Sequence, residues 1–346
     1  MPRSARRILA WAIVAVVLAV AGVAAAVSWL DQSFVAPGPA AQVTRVQVPA
    51  RQGVRAVLQR LQNAGVLRSA WRSALYLRLH GRLPRLQAGK YDIPAGASPA
   101  DIVEMLEQGR VVLEQITVVE GTRFADLRAL LANDPAVHVT LRGKSDAAVM
   151  DALGHHGQDA EGAFFPDTYR FADGTSDLDI LKLAYAGMQR ELAAAWSRRA
   201  PDLPFDTPQQ ALILASMVEK ETGLPSERPH IAGVFINRLR KGMRLQSDPT
   251  VIYGLGSAYD GTVHTRDLTR DTPYNTYTRA GLPPTPIALP GRAALMAAVQ
   301  PLKTDDLYFV ATGDGDAGHH FSATLVEHNK AVQHYLSRLR AAAKTP

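Results

Sequence analysis

The sequence predicts an α+β protein behind one apolar N-terminal helix, and three observations predict it. A run from Ile8 to Leu30 is interrupted only by Gly22 and Ser28. Short strand-like stretches at 43–48, 89–94, 111–119 and 307–311 lie among longer segments whose apolar residues recur at helical spacing. Finally, Ala211–Val218 is apolar on every face, and only the interior of a sizeable domain can hide such a helix. With 346 residues and 47% hydrophobic content, the chain can bury the core of one large or two moderate domains. The net charge of +6 and a pI near 9.6 favour attraction to an acidic polymer or an anionic surface. Nucleic acid is not expected as that polymer, because no basic patch interleaved with aromatics and no helix-turn-helix or RRM signature occurs. The absence of cysteine excludes disulfides, thiolate zinc sites and thiol nucleophiles.

In chain order, Arg3, Arg6 and Arg7 form a cytoplasmic tail (1–7) ahead of the run, which is read as a transmembrane helix over 8–30. At about 1.5 Å per residue the run is long enough for roughly 30 Å of hydrocarbon, and the arginines keep the N-terminus inside. Ala24-Ala25-Ala26 could pass for a cleavage site, yet the run exceeds the about 7 to 15 residues of a signal-peptide core, so a retained anchor is expected. Everything after it should lie outside the cytoplasm, where nucleotide cofactors are not available. Residues 31–42 read as a stalk. Residues 43–119 read as a small α+β subdomain: a strand at 43–48, a helix carrying Val54, Val57, Leu58 and Leu61 and stopped by Gly65, a helix at 70–80 ending at Gly81, a strand at 89–94, a helix capped by Ser98-Pro99-Ala100-Asp101, and a strand at 111–119.

Residues 120–340 read as the larger domain. A helix over 178–197 precedes the apolar one, and an amphipathic helix over 226–241, with Ile231, Val234, Phe235 and Leu239 inward, follows it. Asp248-Pro249 starts a short helix carrying Tyr253, and 274–291 is a Pro- and Gly-rich loop. A strand at 307–311, a turn at Gly313-Asp314-Gly315-Asp316, a return strand through Phe321 and a helix opened by a Thr324–Glu327 capping box complete the chain.

The apolar helix carries the chemistry. Thr207 and Gln210 make a T-x-x-Q capping box with Pro208 at the first position, and Gly223 with Pro225 should close the other end about 15 residues on. Its last turn is Glu219-Lys220-Glu221. Desolvation and the negative end of the helix dipole both push the Glu219 carboxyl pKa upward, while Lys220 opposes them. A carboxylic acid still protonated near neutrality is what general acid catalysis at a glycosidic oxygen requires. The bland alternative is a core helix whose last turn reaches solvent.

The segments EGAFFPDTYRF, ASMVEKETG, VFINRLRKGMRLQSDPTVIYGLG, YNTYTRAGLPPTPIALPG, LYFVATGDGDAGHHFSAT and EHNKAV resemble, in this order, the membrane-anchored endolytic murein transglycosylases of the YceG-like family. The likeness is dense from Glu161 to the C-terminal helix, and residues 43–119 look like the family's LysM-like subdomain. The resemblance implies a catalytic (YceG-like) domain over 120–340 that cuts the β-1,4 bond between N-acetylmuramic acid and N-acetylglucosamine in peptidoglycan glycan strands and leaves a 1,6-anhydro end. It further implies a single-pass protein of the inner membrane, with peptidoglycan synthases as partners. Glu219 matches the family's catalytic glutamate, and one carboxyl suffices where the sugar's own 6-hydroxyl is the nucleophile.

A two-carboxylate muramidase is the hydrolytic alternative, and it needs a second acid about 5 to 9.5 Å away. Glu221 is a poor candidate, because two positions on a helix point about 200° apart. Asp248, Asp167 and Glu161 remain, with Asp248 also readable as a plain N-cap before Pro249. A non-catalytic wall-binding scaffold is the alternative from another class. Sugars offer hydroxyls, acetamido groups and flat apolar faces, so the expected substrate-binding residues are Gln246, Ser247, Tyr253, Tyr274, Asn275 and Tyr277. Lys220 should meet a peptide-stem carboxylate or pair with Glu221, and Arg238 should orient a carboxylate. His155-His156 and His319-His320 are adjacent pairs without H-E-x-x-H spacing, so no metal is expected. His319 and His328 should bond backbone or carboxylate groups near the hairpin. No Walker motif occurs, and no cofactor is expected.

Overall fold

The computed structural model describes residues 3–49, 51–314 and 318–342. The chain divides into two compact units, residues 1–114 with 171–174, and residues 115–170 with 175–346.

The first unit contains α1 (Arg3–Val35), β1 (Thr44–Val48), α2 (Val54–Asn63), α3 (Ala70–Leu79), β2 (Gly89–Ile93) and α4 (Pro99–Glu107). Strands β1 and β2 pair antiparallel, with Thr44 opposite Ile93 and Val48 opposite Gly89. Alternation sends Val46 and Val48 inward and leaves Arg45 outside on Asp92 at 2.7 Å. The core joins those valines to Leu58, Leu61, Tyr91, Ile93, Ile102 and Leu106. The Ser98 cap forms as expected, with Asp101 returning a hydrogen bond to the Ser98 amide. The apolar helix α1 contains one stretch, Ala10–Val35, long and apolar enough to cross a membrane. It does not stop at residue 30. The helix continues five residues into the expected stalk, because Leu30 and Phe34 are buried and the Phe34 ring stacks on Tyr76 at 3.8 Å.

The chain goes on through β3 (Leu113–Thr117), α5 (Phe124–Asn133), β4 (Val137–His138), α6 (Asp146–Leu153), β5 (Thr168–Ala172), β6 (Thr175–Ser176), α7 (Asp177–Ser197), α8 (Pro208–Glu221) and α9 (Arg228–Arg240). Next come α10 (Asp248–Leu255), a 3-10 turn, α11 (Thr265–Thr269), α12 (Arg292–Val299), β7 (Tyr308–Ala311), β8 (His319–Ser322) and α13 (Leu325–Ala342). Strand β3 pairs with β5, β4 runs parallel to β6, and β7 is antiparallel to β8. Every sheet among the described residues is thus a two-stranded ribbon, and the second unit's core is helical. It is centred on α8, which packs against α7, α9 and α12.

Two expectations change here. Helix α9 is not amphipathic: it starts at Arg228, and every residue from Ile231 to Ile236 is buried. It lies among α8, α12 and β7, so it has no broad solvent face. Helix α8 ends on Thr222 in an extended conformation (φ −142°, ψ 138°), so no left-handed glycine closes it. The expected tip residues Gly315 and Asp316 lie outside the described residues.

Candidate active site

The capping box of α8 forms in both directions, Thr207 Oγ1 accepting from the Gln210 amide at 3.3 Å and Gln210 Oε1 from the Thr207 amide at 3.2 Å. From there every residue from Ala211 to Glu219 is buried. The Ser216 hydroxyl donates to Ile213 O and accepts from Ile287 N, tying the helix to the loop before α12. That loop delivers the Gly291 amide to Glu219 Oε2 at 2.8 Å. Glu219 Oε1 accepts from Arg228 Nη2 at 2.6 Å, and the two side chains keep only 3% and 8% of their exposure. Each oxygen so takes one protein donor, and a carboxylate offers about four acceptor directions, which leaves room for an incoming group.

Burial pushes the Glu219 carboxyl above its ordinary value; the Gly291 amide and Arg228 pull it back, the Glu120 carboxylate pushes it up, and Lys220 opposes. Glu120 and Arg228 are residues that sequence reasoning missed. Arg228 Nη2 also lies 3.5 Å from Glu120 Oε2, which places that oxygen within about 6 Å of Glu219 Oε1. A signal for Arg228 existed. It opens α9, where a cation opposes the helix dipole and so calls for an acidic neighbour. Lys220 is exposed and donates to Gly121 O at 3.2 Å; no ion pair to Glu221 occurs among the described residues.

A second group forms around Glu221, on the other side of the helix end. Its Oε1 accepts a short hydrogen bond from the Ser247 hydroxyl, and burial pushes its carboxyl up to about 7. Ser247 is itself buried, and its amide donates to Thr276 Oγ1. The Tyr277 hydroxyl donates to Asp248 Oδ1 at 2.5 Å, and burial raises the phenol. Asp248 is not the N-cap: Ser247 holds that position, and Asp248 is the first helical residue. Gln246 is exposed, has φ +54°, and its Oε1 accepts from Arg238 at 3.3 Å. Arg238 does not orient a carboxylate directly. Its buried guanidinium donates to Leu307 O and Leu245 O, which pins the hairpin to α9. Asn275 is buried and its amide is spent on the loop itself, donating to the carbonyls of Asp267, Leu268 and Arg270 and accepting from Tyr277 N.

A third group gathers Glu161, Tyr253 and Tyr274. Glu161 accepts from Phe124 N at 3.0 Å and from the Tyr253 hydroxyl at 3.2 Å, and burial pushes its carboxyl up to about 7. Arg123 lies over the Tyr253 ring at 5.3 Å, while Tyr274 meets that ring edge-on at 4.8 Å. Asp167 is exposed in the bend before β5. His319 binds Glu227 through Nδ1 at 2.8 Å, as expected, whereas His328 leaves Nδ1 buried without a partner among the described residues and stacks on Tyr308 at 5.1 Å.

The model of the YceG-like family matches residues 46–334. A Bacillus subtilis protein described as an endolytic murein transglycosylase is 31% identical over 309 residues, covering 84% of each chain. One of the same description from Streptococcus pneumoniae is 27% identical over 299 residues, spanning 77% of this chain and 54% of that protein. A crystal structure of a YceG-like protein from Listeria monocytogenes aligns with TM-score 0.50 and 27% identity over 83% of this chain and 98% of its own. With most of its length matched by the family model, the chain belongs to the YceG-like family.

Proposed function

We propose that this chain is an endolytic murein transglycosylase, with Glu219 as general acid and then base. The observation that carries the reading is the buried Glu219 carboxyl, held by Arg228 and the Gly291 amide. Protonated Glu219 gives its proton to the leaving glycosidic oxygen as an oxocarbenium-like centre develops at the muramyl carbon. The muramyl 6-hydroxyl attacks that carbon, and ionised Glu219 takes the hydroxyl proton, so a 1,6-anhydro end forms without water. Arg228 stabilises Glu219 while it is ionised and lets the acid re-form by its link to Glu120.

Gln246, Tyr253, Tyr274 and Tyr277, in the groups around Glu221 and Glu161, are assigned to the glycan; Ser247 and Asn275 set the positions of Glu221 and Tyr277. Helix α1 is assigned as the anchor in the inner membrane, with its N-terminus cytoplasmic, nascent glycan strands as substrate and peptidoglycan synthases as partners. Residues 43–119 are assigned as a LysM-like part on the resemblance.

A two-carboxylate hydrolase is the second reading, and the proximity of Glu120 to Glu219 favours it over any scheme using Asp167. Mass spectrometry of products from purified glycan strands separates the two, since an anhydro end and a reducing end differ by one water. Glu219→Gln should lose at least about 100-fold in strand cleavage with folding and wall binding kept. Retained cleavage would overturn the assignment of the acid.

A further inference from the structure

Glu120 lies on the segment between β3 and α5, and its carboxylate rests against the backbone of Gly291. A Cβ at Gly291 would stand 1.8 Å from Glu120 Oε1. The φ of Gly291 is −81°, which any residue adopts, so conformation does not call for glycine there. Space does. One residue therefore does two things: its amide holds Glu219, and its missing side chain admits Glu120. Arg228 completes the link, its Nη2 reaching both carboxylates and its Nε finding no partner among the described residues.

We propose that Glu120 is a positioning residue of the reaction, which shares Arg228 with Glu219 and so keeps the proton on Glu219 until the glycosidic oxygen takes it. This rests on Glu219 as the general acid. The charged groups facing Glu219 are Arg228 from α9, Lys220 from its own helix and Glu120. Helix α12 brings only the neutral Gly291 amide, because its first charged residue, Arg292, is paired with Glu191 at 2.8 Å. Among these three, Glu120 alone opposes ionisation. Removing its charge leaves Arg228 wholly to Glu219, and the proton departs at lower pH.

The test is the pH profile of kcat/KM for strand cleavage by the full chain, with 13C NMR titration of the Glu219 carboxyl beside it. In Glu120→Gln the basic limb should move to lower pH, with activity at about pH 8 falling roughly tenfold against the parent. Gly291→Ala should move it the same way, because the new methyl displaces the Glu120 carboxylate while the amide stays. An unmoved limb in folded Glu120→Gln overturns the proposal. So does loss of cleavage at every pH with the Glu219 titration unchanged, which would make Glu120 a reacting group. Failure of the underlying assignment is distinct: Glu219→Gln would still cut.

Discussion

The Arg228 guanidinium donates to Glu219 at 2.6 Å with both side chains almost wholly out of solvent. An ion pair so placed owes its worth to the partner each charge would otherwise lack. Arg228→Ala leaves a buried carboxyl without its cation, and the folded pKa of Glu219 rises further above the unfolded value. The pair's contribution is therefore present where Glu219 is ionised and is lost as falling pH protonates it. Urea unfolding of the variant should show a deficit of about 3–5 kcal/mol at about pH 8 and a clearly smaller one toward acid pH, where protonation of Glu219 removes the pair's charge. Equal deficits at both pH values would mean that Arg228 acts by packing alone.

Much of this arrangement was legible beforehand, and the limits have physical causes. Helix α8 announced itself because its cap, its proline and its all-round apolar stretch agree at one length scale, and Glu219 followed from its place at the end. The strands β1, β2, β7 and β8 carried enough β-branched and aromatic residues to be read. The two-residue strands β4 and β6 had no period to show, and α6, α11 and α12 are too short for a distinct helical stripe. Glu120 and Arg228 stayed hidden because their meaning lies in a contact 108 residues apart. Asn275 looked like a sugar ligand for a related reason. A buried amide serving three carbonyls and an exposed one serving a sugar have the same sequence.

Glu161 makes the folded protein sensitive to pH on its own account. Its carboxyl is pushed up to about 7 from an ordinary 4.5, chiefly by burial. Between those values the unfolded chain has given up a proton that the folded protein retains, so stability falls as pH rises through the window. Glu161→Gln should reduce the slope of unfolding free energy against pH there, measured by urea titration at half-unit steps. Glu221 acts in the same direction, so adding Glu221→Gln should flatten it further. A slope unaffected by Glu161→Gln would show that the side chain is ionised in the folded state.

Gly162 fixes the Glu161 turn against the loop before α12. Its φ is +78°, and a Cβ there would stand 2.5 Å from the Pro286 ring. Left-handed backbone costs an L-residue about 1–2 kcal/mol, and overpacking a buried contact adds about 1–3 kcal/mol. Gly162→Ala should therefore lower stability by at least about 2 kcal/mol, read from the denaturant midpoint at unchanged m-value. Because Pro286 sits one residue from the Ser216 contact, cleavage should fall as well.

Ser216 connects the acid's helix to the loop that positions it. Its hydroxyl gives its proton to Ile213 O at 2.7 Å and receives the Ile287 amide at 3.0 Å, all without solvent. Ser216→Ala fits the same volume yet strands the Ile287 N–H, at a cost of about 1–3 kcal/mol. The loop can recover that amide only by moving, and four residues later it carries the Gly291 amide to Glu219. The variant should thus lose kcat, because the Gly291 amide that holds Glu219 moves with the loop. Ser216→Thr, which keeps the hydroxyl, should restore kcat if its added methyl finds room. A variant that loses stability but keeps full kcat would show that the Gly291 amide is held independently of Ile287.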